Sequence, residues 1–142
     1  MKAIVHDVIY CGPRVGYLNS FEVKSGDITI LLSKVNVLVA GGCDGWCVEK
    51  PSIPNAEMYN PRTNVWTPVA DLPLALNSAR MELLGGRPTL MGGYNTEGNI
   101  RNDQLWQYFV EDDEWRPHPT IKMRVPRSSF AAFQVPRGFF RC

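Results

Sequence analysis

The chain is poor in the residues by which most enzymes and nucleic-acid binders are read. Of its 142 residues only two are histidines, His6 and His118. Neither stands in a His-x-His or His-x3-His spacing, so no zinc motif is built on them. There is no Gly-x-Ser-x-Gly elbow and no Gly-x4-Gly-Lys-Ser/Thr phosphate loop. Net charge is nearly absent: 15 basic and 14 acidic residues leave +1. That excludes the electrostatic footprint of a nucleic-acid or anionic-membrane binder. No apolar run approaches the roughly 18 residues of a membrane span. The best stretch, 28–40, is interrupted by Ser33, Lys34 and Asn36. Met1 to Val5 starts as a signal peptide would, but His6 and Asp7 break the apolar region. No Asn-x-Ser/Thr sequon occurs, which with the broken leader favours a cytoplasmic chain over a secreted one. Four cysteines, Cys11, Cys43, Cys47 and Cys142, are too few and too scattered for a disulfide scaffold. Nothing calls for a cofactor.

What is present is turn chemistry and repetition. Twelve glycines and eleven prolines suit short strands and turns, and 44% apolar residues can build a core. Gly41-Gly42 recurs 51 residues on as Gly92-Gly93. Tyr59, Trp66 and Pro68 recur 49 residues on as Tyr108, Trp115 and Pro117. A loop after the glycines that differs by two residues reconciles the offsets. Further on, Ala79-Arg80 matches Pro126-Arg127 at an offset of 47.

Each copy reads as strands and turns. Lys34 to Ala40 is β-branched and ends at the glycine pair, with Arg87 to Met91 as counterpart. Asn55 to Tyr59 and Val65 to Thr67 are strands around the turn Asn60-Pro61-Arg62-Thr63-Asn64. Asp103 to Val110, the turn Glu111-Asp112-Asp113, and Glu114 to Arg116 repeat them. A fourth strand fits Ala79 to Leu84 and, in the next copy, Ser128 to Gln134. Only Leu72 to Leu84 competes as a helix, against Pro73 and Asn77. A four-stranded unit of this size has two apolar faces and must stack on a neighbour. The paired glycines mark close backbone approach, and the Tyr and Trp are apolar plugs between units.

Gly-Gly, a separated Tyr, six residues and Trp, twice in order, resembles the Kelch repeat. The resemblance implies an all-β fold, a partial β-propeller of about two four-stranded antiparallel blades and a truncated third. Its divisions are 34–78, 79–125 and 126–142, and 1–33 reads as a degenerate or partial blade. Two blades do not close a propeller. The chain therefore reads as a piece of a longer protein, or as a unit that three copies would close into a ring.

The resemblance implies a non-catalytic protein-interaction module. Many Kelch propellers are substrate-recognition halves of adaptors for cullin-based ubiquitin ligases, where a BTB region, missing here, meets the ligase. Alternatives are a secreted Kelch-like binding protein with a loop disulfide, an actin-associated protein, and a non-functional fragment. In Kelch proteins that recruit peptides, contacts fall just after the glycine pair and at an Arg or Ser opening the next segment. The matching positions are Cys43, Asp44, Tyr94, Asn95, Arg80, Arg127 and Ser128. An arginine there would pair with a partner's carboxylate, or else hold its own loop by bonding backbone carbonyls. Trp46, in the same loop as Asp44, is a further anchor candidate. For Cys43-x3-Cys47, free thiols, a disulfide and a metal site all stay open, though zinc would need two further ligands. The acidic run 111–114 reads as a solvated turn rather than a calcium site.

Overall fold

A computed structural model describes residues 36–43 and 51–132, together with the backbone of five short strands that precede them. In those first strands, β1 (Ala3–Val5) pairs with β4 (Phe21–Val23), and β2 (Val8–Tyr10) pairs with β3 (Gly16–Leu18). Most of the 1–33 reading lies outside the described residues. The fifth strand, β5 (Thr29–Leu32), opens a four-stranded antiparallel sheet with β6 (Val37–Ala40), β7 (Ala56–Asn60) and β8 (Val65–Val69). A second sheet begins with β9 (Arg80–Leu84) and β10 (Arg87–Met91). A hairpin of β11 (Tyr94–Asn95) and β12 (Ile100–Arg101) interrupts it. It then resumes with β13 (Gln104–Phe109) and β14 (Glu114–Lys122). Every pairing is antiparallel between neighbours, so each sheet is a meander, as the repeat spacing implies.

Local sequence explains the elements. All four residues of β6 are buried, so the strand is an unbroken apolar run rather than an alternating one. The β7–β8 turn closes through Asn60: its carbonyl accepts the Asn64 N–H at 2.9 Å and its side chain accepts the Arg62 N–H at 2.9 Å. Asn64 ends the turn at φ 57°, and Asp113 ends the β13–β14 turn at φ 49°. Asn and Asp tolerate that left-handed backbone better than other non-glycine residues.

Three expectations change. The first sheet begins at Thr29, not at Lys34: Thr29 to Leu32 pair with Ala40 to Val37. Polar Ser33 and Lys34 hide this hairpin in the sequence by splitting one apolar stretch into two strands. Residues 80–84 open the second sheet, within the division 79–125, whereas the strand expected at 128–134 is bends and coil over its described part. The third change is the equivalence of Arg80 and Arg127. The carbonyl of Leu76 accepts the Gly42 N–H at 2.8 Å, and the carbonyl of Arg127 accepts the Gly93 N–H at 2.9 Å. Ser78 and Ser129 follow at φ 51° and 54°. Arg127 therefore repeats Leu76, and Arg80 lies four residues further along its own unit.

The core sits between the two sheets. Leu38, Ala40 and Ala56 of the first meet Met81, Leu90, Tyr108 and Trp115 of the second. Leu72, Leu76 and Ala79 of the connecting segment fill the space between, each no more than 4% exposed. Burying each leucine contributes about 2 kcal/mol of apolar transfer. The connection is also latched by hydrogen bonds. Trp115 Nε1 donates to the Ala70 carbonyl at 2.8 Å, and Asp113 Oδ1 accepts the Ala70 N–H at 2.8 Å. The same carboxylate oxygen accepts the Tyr108 hydroxyl at 2.6 Å. These bonds hold Asp113 below the usual carboxylate range, the Ala70 N–H first and the Tyr108 hydroxyl second. Burial, then the Asp113 carboxylate, pushes the Tyr108 phenol well above its ordinary value. In the first sheet, Tyr59 donates to Asn64 Oδ1 at 2.9 Å. The Tyr and Trp rings of each unit lie face against face with a tilt, 4.9 Å apart in the first and 5.0 Å in the second.

Candidate interaction surface

The glycine pairs place the loops. Gly41 and Gly92 have φ 70° and 63°. A Cβ on Gly41 would strike the Leu76 carbonyl oxygen, and one on Gly92 would lie 2.5 Å from the Arg127 carbonyl oxygen. The segment leading out of each sheet therefore crosses directly over its glycines, where only hydrogen fits. In the second sheet the next residues form the β11–β12 hairpin. Ile53 N–H donates to Gly42 O and Asn102 N–H to Gly93 O, both at 2.9 Å, so the chain comes back to the second glycine of each pair.

A buried polar cluster joins these loops across the sheets. Asn77, 3% exposed, donates from Nδ2 to Ser52 Oγ at 2.9 Å and to Thr96 Oγ1 at 3.1 Å. Ser52 Oγ accepts the Thr96 N–H at 3.1 Å and donates to the Tyr94 carbonyl at 3.1 Å. Asn77 and Tyr94 also exchange backbone hydrogen bonds of 2.9 Å each way. A buried asparagine with both N–H donors satisfied fixes geometry, because leaving either unmade costs about 1–3 kcal/mol. Ser52 beside the first sheet, Asn77 of the connection and Thr96 of the second sheet's hairpin are thus tied to one another.

The sequence-derived candidates divide on this surface. Tyr94 is half-buried, and its hydroxyl donates to Asn99 Oδ1 at 2.8 Å. Asn95 is 8% exposed and spends its side chain inside, donating to Ala75 O at 2.9 Å and accepting the Gly98 N–H. Arg80 is exposed, and its Nε donates to the Phe130 carbonyl. Arg127 is exposed with only a 3.4 Å bond to Val125 O, and half-buried Ser128 follows it. Cys43 is fully buried and disulfide-bonded. Its partner is one of Cys11, Cys47 and Cys142, all outside the described residues. Asp44 and Trp46 also lie outside them. Sequence reasoning missed Ser52, Asn77 and Thr96, polar loop residues with no periodic signal. It also missed the hairpin tip Thr96 to Ile100, where Ile100 is 59% exposed. The Gly98-Asn99 pair was the readable sign of that turn.

The opposite end of the second sheet is different in kind. The guanidinium carbons of Arg87 and Arg116 lie 4.1 Å and 4.4 Å from the Phe109 ring centroid. Arg87 pairs with Glu111 at 2.8 Å, and Arg116 with Asp112 and Glu114 at 2.7 Å each. The Arg87 hydrogen bond holds Glu111 below its ordinary range. The acidic turn thus neutralises its own arginines, and these exposed pairs add little stability.

The family comparison rests on the first sheet. The Kelch motif matches residues 36–73, which span β6, β7, β8 and the start of the connection. Residues 36–73 carry a Kelch motif. The first sheet accordingly carries a Kelch motif, and the second has the same strand order and repeats the glycine, tyrosine and tryptophan positions of the first. No curated protein matches the chain. Kelch repeats are in general protein-interaction modules, and at the glycine end Ser52, Asn77 and Thr96 tie the first sheet's flank, the connection and the second sheet's hairpin together.

Proposed function

We propose that the chain is a non-catalytic protein-interaction module that binds its partner through the glycine-end loops. The observation that carries this reading is the Ser52–Asn77–Thr96 cluster, which fixes loops of two blades relative to each other. A pre-ordered surface binds without the entropy loss of ordering loops on contact. The contact set among the described residues is Tyr94, Glu97, Ile100, Arg127 and Ser128. Ile100 supplies an exposed apolar anchor and Arg127 a free-reaching cation. In the finer reading, that partner is a substrate of a cullin-based ubiquitin ligase, and a BTB region elsewhere reaches the ligase in the cytoplasm. Photo-crosslinkers at Glu97 and Ile100, against controls at Val110 and Glu111 on the opposite end, test the surface. Capture of one partner from the first pair alone supports it; capture from the second pair alone contradicts it.

A second reading is favoured by the Cys43 disulfide. Stable disulfides belong to oxidising compartments, so a secreted binding protein with the same surface is the alternative. Thiol titration of the denatured endogenous protein separates them: four free thiols support the cytoplasmic adaptor, two the secreted protein.

A further inference from the structure

Each sheet ends in an exposed strand. β8 closes the first sheet over Val65–Val69, and β14 closes the second over the nine residues Glu114–Lys122. Neither pairs with a further strand on its outer side among the described residues. Val65 is 50% exposed and Ile121 44%. An exposed edge strand with apolar side chains is a template on which another strand can pair, and the longer edge is the greater hazard. Whether a strand can add depends on the backbone groups that point outward.

The register shows which groups those are. Pro68 stands opposite Glu57, and Pro117 opposite Trp106. A proline has no N–H to give, so in an antiparallel ladder it occupies a non-hydrogen-bonded pair, with its backbone turned away from the partner strand. The pairs Tyr59–Trp66 and Tyr108–Trp115, two residues back, share that phase. Their ring centroids lie 4.9 Å and 5.0 Å apart, in keeping with the closer side chains of non-hydrogen-bonded pairs. Positions 68 and 117 therefore face outward, and at both the donor is deleted. Two residues on, the edge again offers no N–H, by a different means in each sheet. Ala70 spends its N–H on Asp113 Oδ1 at 2.8 Å, and Pro119 has none.

The longer edge carries a further device. Pro117 pairs with Trp106 but Lys122 with Gln104, so β14 bulges between them. The bulge is sealed from within. His118 Nδ1 accepts the Thr120 N–H at 3.3 Å and the Ile121 N–H at 3.1 Å, and the His118 carbonyl accepts Gln104 Nε2 at 3.3 Å. β8 runs in unbroken register with β7. A bulge bends an edge strand away from the line that a pairing strand must follow.

We propose that the outer edges β8 and β14 are closed to strand addition, by deleted or spent donors in both and by the His118-sealed bulge in the second. Copies of this chain and other proteins then meet these sheets through side chains and loops, and not by extending them. This closure holds whether or not the glycine-end loops bind a partner. Analytical ultracentrifugation tests it by comparing the full chain with P68T/P117T/P119T, which restores the missing N–H groups, and with H118A, which takes the acceptor from Thr120 and Ile121. Thermal unfolding of each variant establishes that it folds. The triple variant is expected to self-associate at least about tenfold more tightly than the wild type, since each restored donor adds a hydrogen bond between copies. Its β8 and β14 amides should gain protection from hydrogen exchange as concentration rises. H118A should shift association in the same direction and speed exchange of the Thr120 and Ile121 amides. If the triple variant does not fold, P119T and H118A decide by the same criteria. Folded variants that associate no more than the wild type would overturn the proposal. So would wild-type β8 or β14 amides that gain protection with concentration, because strands would then be adding to the native edges.

Discussion

The two blades share strand order, glycine pair and Tyr–Trp stack, yet their matching positions are spent differently. In the first blade, Leu38 and Met58 face a neighbour and are covered; in the second, Thr89 and Gln107 occupy those positions and bond to each other. The first connection buries Leu72 and Leu76, while their counterparts by hydrogen bonding in the second, Met123 and Arg127, are half-buried and exposed. The turn before the tryptophan ends in Asn64 in one and Asp113 in the other. The scaffold is therefore set by a few repeated residues, and the identity of each face is set by the positions between them. A repeat signature reports the first and says nothing of the second.

The largest expected effects lie at the glycines. Gly41→Ala must hold a Cβ against the Leu76 carbonyl at φ 70°, and should cost about 3 kcal/mol in urea unfolding. Gly85→Ala, at φ 61° with open space around it, should cost only about 1 kcal/mol. Equal losses would mean that the connection does not cross the glycine as described. Next come the connections. Leu76→Ala should cost about 3 kcal/mol through an unfilled cavity. Val125→Ala, at 53% exposure, should stay within about 0.5 kcal/mol of wild type. Comparable losses would erase the contrast between buried and open connections.

A smaller effect belongs to the latch. Trp115→Phe keeps a ring but removes the donor to Ala70 O, and should lower stability by about 1 kcal/mol in thermal unfolding. Smallest is the pH response. Asp113 titrates below its ordinary range in the folded chain. Its contribution is therefore complete above the unfolded carboxyl's pKa, near 4, and is lost as pH falls through the lower folded value. Asp113→Asn keeps an acceptor oxygen, as Asn64 provides for Tyr59 in the first blade, but cannot titrate. The stability gap between wild type and variant should shrink on going from neutral pH to about pH 3. A gap independent of pH would remove the carboxylate from the latch.

The fold was legible where residues repeat for steric reasons. Gly41, Gly92, Trp66 and Trp115 recur because close approach and a large plug admit few alternatives. β5 was hidden because Ser33 and Lys34 interrupt its apolar run, and backbone pairing leaves no mark on residue identity. The match of Arg80 to Arg127 failed for a similar reason: what repeats there is the carbonyl of Leu76 and of Arg127, which any residue supplies. At the candidate surface, Tyr94 and Arg127 were named by resemblance to the Kelch pattern, because each stands at a fixed step from a glycine pair. Ser52 and Asn77 escaped because their roles depend on partners 44 and 25 residues apart.

The central claim is that two blades form one cooperative body through the connection between them. Residue-resolved hydrogen exchange on the full chain tests it most directly. The Gly42, Asn77 and Tyr94 amides, which bond across the blades, should exchange as slowly as the amides of β6 and β10. Exchange of these three at rates far above the strand amides would contradict the claim, and would mean that the blades open independently.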